Sequence, residues 1–173
     1  LNLFLLIPIF LVSVPELNSQ GLVKNSVITG VCYAGEKVNR IYIPPPDEFF
    51  SKSGKGDTAS IKVYYSGFSD QGIKAVEYAA SILKTLLPAD VKITIRATWT
   101  KISTSGVLAN SSTTGFALGS GIDAFVPHAL YPAALAEKIA GKSLNFDLEG
   151  DIELTVNSTI SWYLGTDGKT SAF

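Results

Sequence analysis

The sequence predicts an α+β domain in which a β-sheet is backed by two helices, and three observations lead to this prediction. Short segments of alternating apolar and polar residues, typical of half-buried strands, recur along the chain. Two segments with apolar residues at three- and four-residue steps, typical of helices that pack on a sheet, lie among them. The length of 173 residues fits one domain, since domains of roughly 100–200 residues can bury a core.

Residues 1–20 are predicted to be a secretory signal peptide with a clipped start. The apolar run at residues 1–14 is shorter than the roughly 20 residues that a membrane-spanning helix needs. The chain opens with Leu1 rather than Met, so we expect its true start a few residues upstream. A buried first strand or helix, the alternative, would have to accommodate Pro8 and Pro15. We therefore expect a secreted protein with no membrane span after signal removal.

Residues 21–58 are predicted to form an amino-terminal strand and a linker rich in Pro and Gly. The apolar run at residues 27–33 is typical of a strand, and we expect its Cys32 to be buried rather than reactive. A lone cysteine is in keeping with export, because free thiols are buried or avoided in oxidising compartments. The turn-forming residues that follow predict a loop as far as Thr58.

Residues 59–173 are predicted to be the main domain, and it begins with a strand at residues 60–66. Ser69 or Asp70 then caps a helix that starts near Gln71 and must end before Pro88. The apolar stripe of this helix, which we expect to pack on the sheet, consists of Ile73, Val76, Ala79, Ala80, Leu83, Leu86 and Leu87.

The segment 91–100 has the most regular alternation in the chain and predicts a second strand, with Trp99 on its buried face. A stretch rich in Ser, Thr and Gly at residues 103–125 predicts a long loop. The second helix then starts with Pro132 as its first residue and stops at Gly141, where glycine favours a left-handed turn.

The segment 151–156 predicts a last strand, in which Ile152, Leu154 and Val156 point inward. Acidic residues recur at every second position here, at Asp147, Glu149, Asp151 and Glu153. They are either the solvated face of the strand or a group of oxygen ligands for calcium, and both interpretations stay open.

Composition excludes several classes of function. With 14 Lys and Arg against 15 Asp and Glu, no basic surface is expected for nucleic acid. One cysteine and one histidine cannot form a cysteine zinc cluster or a site with two imidazoles. His128 is either a general base or a helix-entry histidine bonded to backbone, and no G-x-S-x-G turn is present. The residues themselves therefore define no catalytic, cofactor or metal site.

Three blocks extend this interpretation: LYPAALAEKIAG at 130–141, DIELTVN at 151–157 and SWYLGTDG at 161–168. Together they resemble a family of secreted bacterial zinc metallopeptidase-like proteins of the zincin type, found in gliding and marine bacteria. The similarity reaches back to about Ile61. It implies a twisted mixed β-sheet backed by two helices, as in the amino-terminal half of a zincin.

In that family the last block is followed by a His-Glu-x-x-His-Gly-Leu-Gly-Phe helix, which binds zinc and activates water. The sequence stops at Phe173, before any such helix, so the resemblance transfers no catalytic or metal-binding residue to this chain. It implies zinc and a polypeptide substrate for the full-length protein, and neither a cofactor nor activity for this fragment alone.

By analogy with that family, the strand at residues 151–158 is expected to be the edge strand that lines the substrate cleft. Its candidate residues are Asp151, Glu153, Thr155 and Asn157. An edge strand can bind an extended peptide by adding it to the sheet. The alternative function is an exported, non-catalytic binding or adhesion module. In that case the 103–125 loop, with Tyr and Trp side chains, would contact a glycan or a protein.

Overall fold

The computed structural model describes residues 22–24, 29–34, 44–52, 58–144 and 150–167. This part of the chain is an α+β structure, as predicted. The strands are β1 (Leu22–Lys24), β2 (Thr29–Tyr33), β3 (Ser60–Ser66), β4 (Lys92–Thr100), β5 (Val107–Thr113), β6 (Gly115–Leu118), β7 (Leu130–Pro132) and β8 (Ile152–Asn157). The helices are α1 (Asp47–Lys52), α2 (Asp70–Leu86) and α3 (Ala133–Ala140).

The main sheet is mixed and has the strand order β2-β5-β8-β4-β3. Strands β3, β4 and β8 are parallel to one another, and helix α2 is the crossover between the first two. Strand β5 runs antiparallel to β8, and β2 runs antiparallel to β5. A second sheet contains the short strands in the order β1-β6-β7.

The register of the main sheet gives it two chemically different faces. Opposite residues on paired strands point to the same side. Ile95 pairs with Val63 on one side and with Ile152 on the other, so these apolar side chains share one face, which we name the apolar face. Arg96 pairs with Tyr64 and Glu153 on the opposite side, which we name the polar face.

Helix α2 forms where the sequence places it and lies over the apolar face. The Ser69 side chain caps it by accepting a hydrogen bond from the Gly72 N–H at 3.2 Å. The Tyr65 hydroxyl on the apolar face donates to Glu77 of α2 at 2.7 Å. The predicted apolar stripe is wider than the contact, because Ala79, Leu83 and Leu86 are exposed.

Helix α3 begins at Ala133, one residue after the predicted start, because Pro132 has extended φ and ψ angles and precedes the first helical turn. Gly141 ends the helix in the left-handed region at φ 65°, as predicted. The helix packs on the second sheet. The buried apolar cluster formed there consists of Ala117, Ile122, Ala124, Ala133, Ala136 and Leu144.

Two predicted loops contain regular structure. The prediction of a loop at residues 103–125 is wrong, because this stretch forms β5, β6 and a short 3-10 helix at Gly119–Gly121. Strand β5 carries Ser, Thr and Asn yet pairs on both sides, so backbone pairing overrides the missing apolar alternation. The predicted loop that ends at Thr58 contains the helix α1, which contacts α2. Residues 35–43 and 53–57 lie outside the described residues.

Two predictions about strand position are also wrong. Strand β8 is not at an edge, because it pairs with β4 and with β5. Cys32 is exposed rather than buried, because β2 lies at the edge of the sheet with all five residues exposed.

The predicted signal peptide, residues 1–20, lies outside the described residues. Among the residues that are described, no helix is long and apolar enough to cross a membrane.

Candidate functional site

The four candidate cleft residues have two different environments. Asp151 and Asn157, at the two ends of β8, are only 4% and 3% exposed. Glu153 and Thr155, between them, lie on the polar face with exposed and half-buried side chains. The four side chains therefore form no single cluster, and their possible contact with a substrate stays a prediction.

Asp151 joins β8 to β4. Its Oδ2 accepts the N–H of Thr94 at 2.7 Å, and its own N–H donates to the Thr94 carbonyl at 2.8 Å. The Asp151 carbonyl accepts the N–H of Thr114 at 3.1 Å. The interpretation of Asp151 as part of a solvated face is thus wrong, since the residue is buried and its carboxylate accepts a backbone N–H.

Asn157 holds together three segments at the other end of β8. Its Nδ2 donates to the Val107 carbonyl at 2.8 Å, and its Oδ1 accepts the N–H of Ile102 at 3.2 Å. The same Oδ1 accepts from the Thr159 N–H and hydroxyl at 3.1 and 2.9 Å. The Asn157 carbonyl accepts the indole N–H of Trp162 at 2.9 Å. The Asn157 side chain is therefore bonded to neighbouring segments of the protein itself.

An aromatic cluster lies beside this end of β8. Trp99, which the alternation predicts to be core, is half-buried. Its ring centroid lies 5.2 Å from that of Phe68 and 6.2 Å from that of Trp162. Phe68 also contacts the ring of Tyr65 at 5.4 Å, so the cluster connects β3, β4 and the segment after β8.

The polar face carries a shallow open groove of about 410 Å³, lined by residues of β3, β4 and β8. An ion pair between Arg96 and Glu153 crosses it. Beside this pair lies the ring of Tyr64, 50% exposed, with the Lys62 ammonium 4.6 Å from its centroid. The groove offers an aromatic surface next to charged hydrogen-bonding groups.

A second groove, of about 390 Å³, lies on the apolar face between β2, β5, β8 and α3. We name it the Gly30 groove, because Gly30 of β2 lies at its rim, opposite Ser111 of β5. Its main apolar wall residues are Phe116, Leu135 and Ile152. Sequence reasoning missed this groove, because its β5 wall was predicted to be a loop.

The apolar face is only partly covered in the described structure. Ile93, Ile95, Ile152 and Leu154 are half-buried. On α3, Leu135 is 48% exposed. Another buried apolar cluster lies on the second sheet. On the apolar face itself Ile61, Ala97 and Val156 are buried, so the incomplete cover is confined to the half-buried residues.

Among the described residues, no group of three or more His, Cys, Asp or Glu side chains is placed so that it could hold a metal ion. His128 is exposed. Asp147 and Glu149, the other half of the calcium interpretation, lie outside the described residues.

Two ionisable contacts have a clear electrostatic direction. Burial, and secondarily the hydrogen bond to Glu77, raise the pKa of the Tyr65 hydroxyl. The hydrogen bond from Lys138 of α3 lowers the pKa of Asp90. Because Asp90 lies in the turn before β4, this ion pair joins α3 to that turn. Both contacts hold a helix to the sheet.

Comparisons of the chain with protein-family models, with curated proteins and with solved structures found no match.

Proposed function

We propose that this domain is the scaffold and substrate-cleft part of a secreted zinc endopeptidase. In this proposal, residues outside the described part of the chain hold the zinc, since no group of three or more metal ligands lies among the described residues. The described residues bind and orient a polypeptide substrate and support the helix that carries the metal. The resemblance of the three sequence blocks at residues 130–168 names the family.

The observation that carries the proposal is the partly covered apolar face. Helices α2 and α3 flank it, while Ile95, Ile152 and Leu154 between them stay half-buried. An amphipathic helix packed over these residues would bury apolar surface that now contacts water. This burial would stabilise the protein by about 25 cal/mol for each Å² of apolar surface. A zinc-binding helix that follows the last block would supply such a cover.

The test uses the natural gene extended past the codon for Phe173. We expect the extended protein to bind one zinc ion per chain, by elemental analysis, and to cleave an unstructured protein such as casein. The matched control replaces the glutamate of the expected His-Glu-x-x-His with glutamine, which should keep the zinc and remove cleavage. An extended protein that binds no stoichiometric zinc, or a stop codon directly after Phe173, would refute the proposal.

The second candidate function is an exported, non-catalytic binding module for glycans or proteins. The groove on the polar face favours it, because an exposed aromatic ring beside hydrogen-bonding side chains suits a sugar ring. The 103–125 loop no longer supports it, since that stretch forms strands. A glycan array with the wild-type chain and its Tyr64→Ala variant tests it: binding that the variant loses would support this function, and no binding would exclude glycans.

A further inference from the structure

We propose that β2 is a replaceable strand, and that the β5 edge beneath it binds an extended polypeptide with an apolar side chain in the Gly30 groove. The inference deepens the proposed function, on which it rests for the identity of this polypeptide as a substrate. In this inference, β2 and the bound polypeptide compete for the same edge of β5.

Strand β2 contains no buried residue in the part of the chain that the structure describes. All five of its residues are exposed, whereas β8 ends with the buried Val156 and Asn157. The pairing of β2 with β5 also shifts register between Cys32 and Tyr33. Its attachment therefore depends mainly on backbone hydrogen bonds, such as Ala34 N–H to the Gly106 carbonyl at 2.7 Å. A strand with little apolar burial opens at low free-energy cost.

The edge that β2 covers is suited to an incoming strand. The other edge of β5 is held by β8, so β5 stays in place when β2 leaves. A vacated edge presents a row of backbone donors and acceptors. An extended peptide in the position of β2 would restore the same antiparallel ladder, and pockets for its side chains would give selectivity.

A peptide with a side chain at the position of Gly30 would make contacts in the groove that β2 itself does not make. A Cβ atom at this position would meet only Ser111, with its Oγ at 3.5 Å and its carbonyl oxygen at 3.8 Å, both ordinary contacts. A side chain therefore fits here, and glycine leaves the groove below it empty. The exposed wall surface is mainly apolar, from the buried Phe116, the half-buried Ile152 and the exposed Leu135, and the polar residues Ser111, Thr113 and Asp151 also line the groove. A branched aliphatic side chain would bury surface that β2 leaves in water.

The test measures binding of two fluorescent peptides by the full chain. Both carry the sequence of residues 27–34 with Cys32→Ser, and one also carries Gly30→Leu. The protein is the Ala109→Cys variant, because Ala109 lies directly opposite Cys32 and a disulfide there locks β2 onto β5. Fluorescence anisotropy measures peptide binding twice, once with this engineered disulfide (the lock) formed and once with it reduced. Wild-type protein and the Cys32→Ser/Ala109→Cys variant, neither of which can form the lock, are the controls.

We expect the reduced protein to bind the leucine peptide with a Kd at least about tenfold lower than the glycine peptide, from burial of the side chain. Oxidation should weaken this binding at least about tenfold in the locked variant alone, because the edge is then closed. Equal Kd values for the two peptides, binding that the lock leaves unchanged, or no binding in millimolar peptide would each overturn the inference.

A second variant removes dependence on the disulfide. Gly30→Leu within the chain should raise Tm and weaken peptide binding, since β2 would then fill the groove itself. A lower Tm, or stronger peptide binding, would contradict the inference. Neither measurement involves zinc or bond cleavage. Peptide binding without proteolysis by the extended protein would refute only the proposed function, and proteolysis without peptide binding at β5 would refute only this inference.

Discussion

Asp151 and Thr94 bond to each other twice: the carboxylate accepts the Thr94 N–H at 2.7 Å, and the Asp151 N–H donates to the Thr94 carbonyl at 2.8 Å. These two residues are 57 positions apart in the chain. The pair fixes the start of β8 against β4 just where the parallel ladder begins at Ile95 and Ile152. Of these two bonds, only the one to the carboxylate depends on the identity of residue 151, so substitutions there test its contribution to the central strand.

Asp151→Ala should lower the free energy of unfolding by about 2 kcal/mol, because the Thr94 N–H would lose its acceptor in a partly buried site. Asp151→Asn keeps an acceptor oxygen and should cost less. Chemical denaturation with urea measures both. An alanine variant as stable as the wild type would mean that water replaces the carboxylate without loss.

Asn157→Ala should cost about 3 kcal/mol, since it removes one donor and one acceptor that hold the Ile102 and Val107 backbone. It should also increase amide exchange at the 158–162 turn, whose Thr159 bonds to the same side chain. The matched control is Asn110→Ala on the neighbouring β5, where the side chain is half-buried and we expect a cost below 1 kcal/mol. Equal losses in the two variants would contradict a structural role specific to Asn157.

Tyr65 should make the domain sensitive to alkali. Its pKa is raised in the folded protein, so the neutral hydroxyl is favoured by folding. The associated stability is fully present below the ordinary tyrosine pKa of about 10 and is lost as the pH rises above it. Tyr65→Phe should cost about 1 kcal/mol at pH 7 and remove this dependence. Melting curves between pH 8 and 11 measure it, with Tyr64→Phe on the polar face as the control.

The partly covered apolar face should be measurable in solution. If a further helix normally covers it, the 173-residue chain alone should bind the dye ANS, be poorly soluble and unfold less cooperatively than the extended protein. The extended protein should bind little dye. A monomeric chain with a cooperative two-state melt and no dye binding would instead favour the binding-module function.

Local sequence patterns correctly predicted the elements whose residues indicate a single kind of secondary structure. Strand β4 alternates over its whole length, and α2 has a cap at Ser69 and a stop at Pro88, so both were placed correctly. Strand β5 was missed because Ser, Thr and Asn occupy both of its faces, and only its two neighbours make it a strand. The order of strands is a tertiary property, so the alternation in β8 could reveal a strand and not its central position.

The candidate site was predicted less well than the fold. Asp151, Glu153, Thr155 and Asn157 share a spacing of two, and spacing alone cannot tell which side chains the ends of a strand bury. The Gly30 groove had no local signal, because it combines a glycine with a polar strand and a helix that follow it by about 80 and about 105 residues.

The central position of β8 has a consequence for the order of folding. Strands β4 and β5 follow each other in the chain but do not pair, because β8 lies between them. The sheet therefore cannot close until the last of its strands has arrived, and contacts between residues far apart in sequence form slowly. During synthesis from the amino terminus, β3 can pair with β4 and β2 with β5, but these two pairs stay separate until β8 has been made.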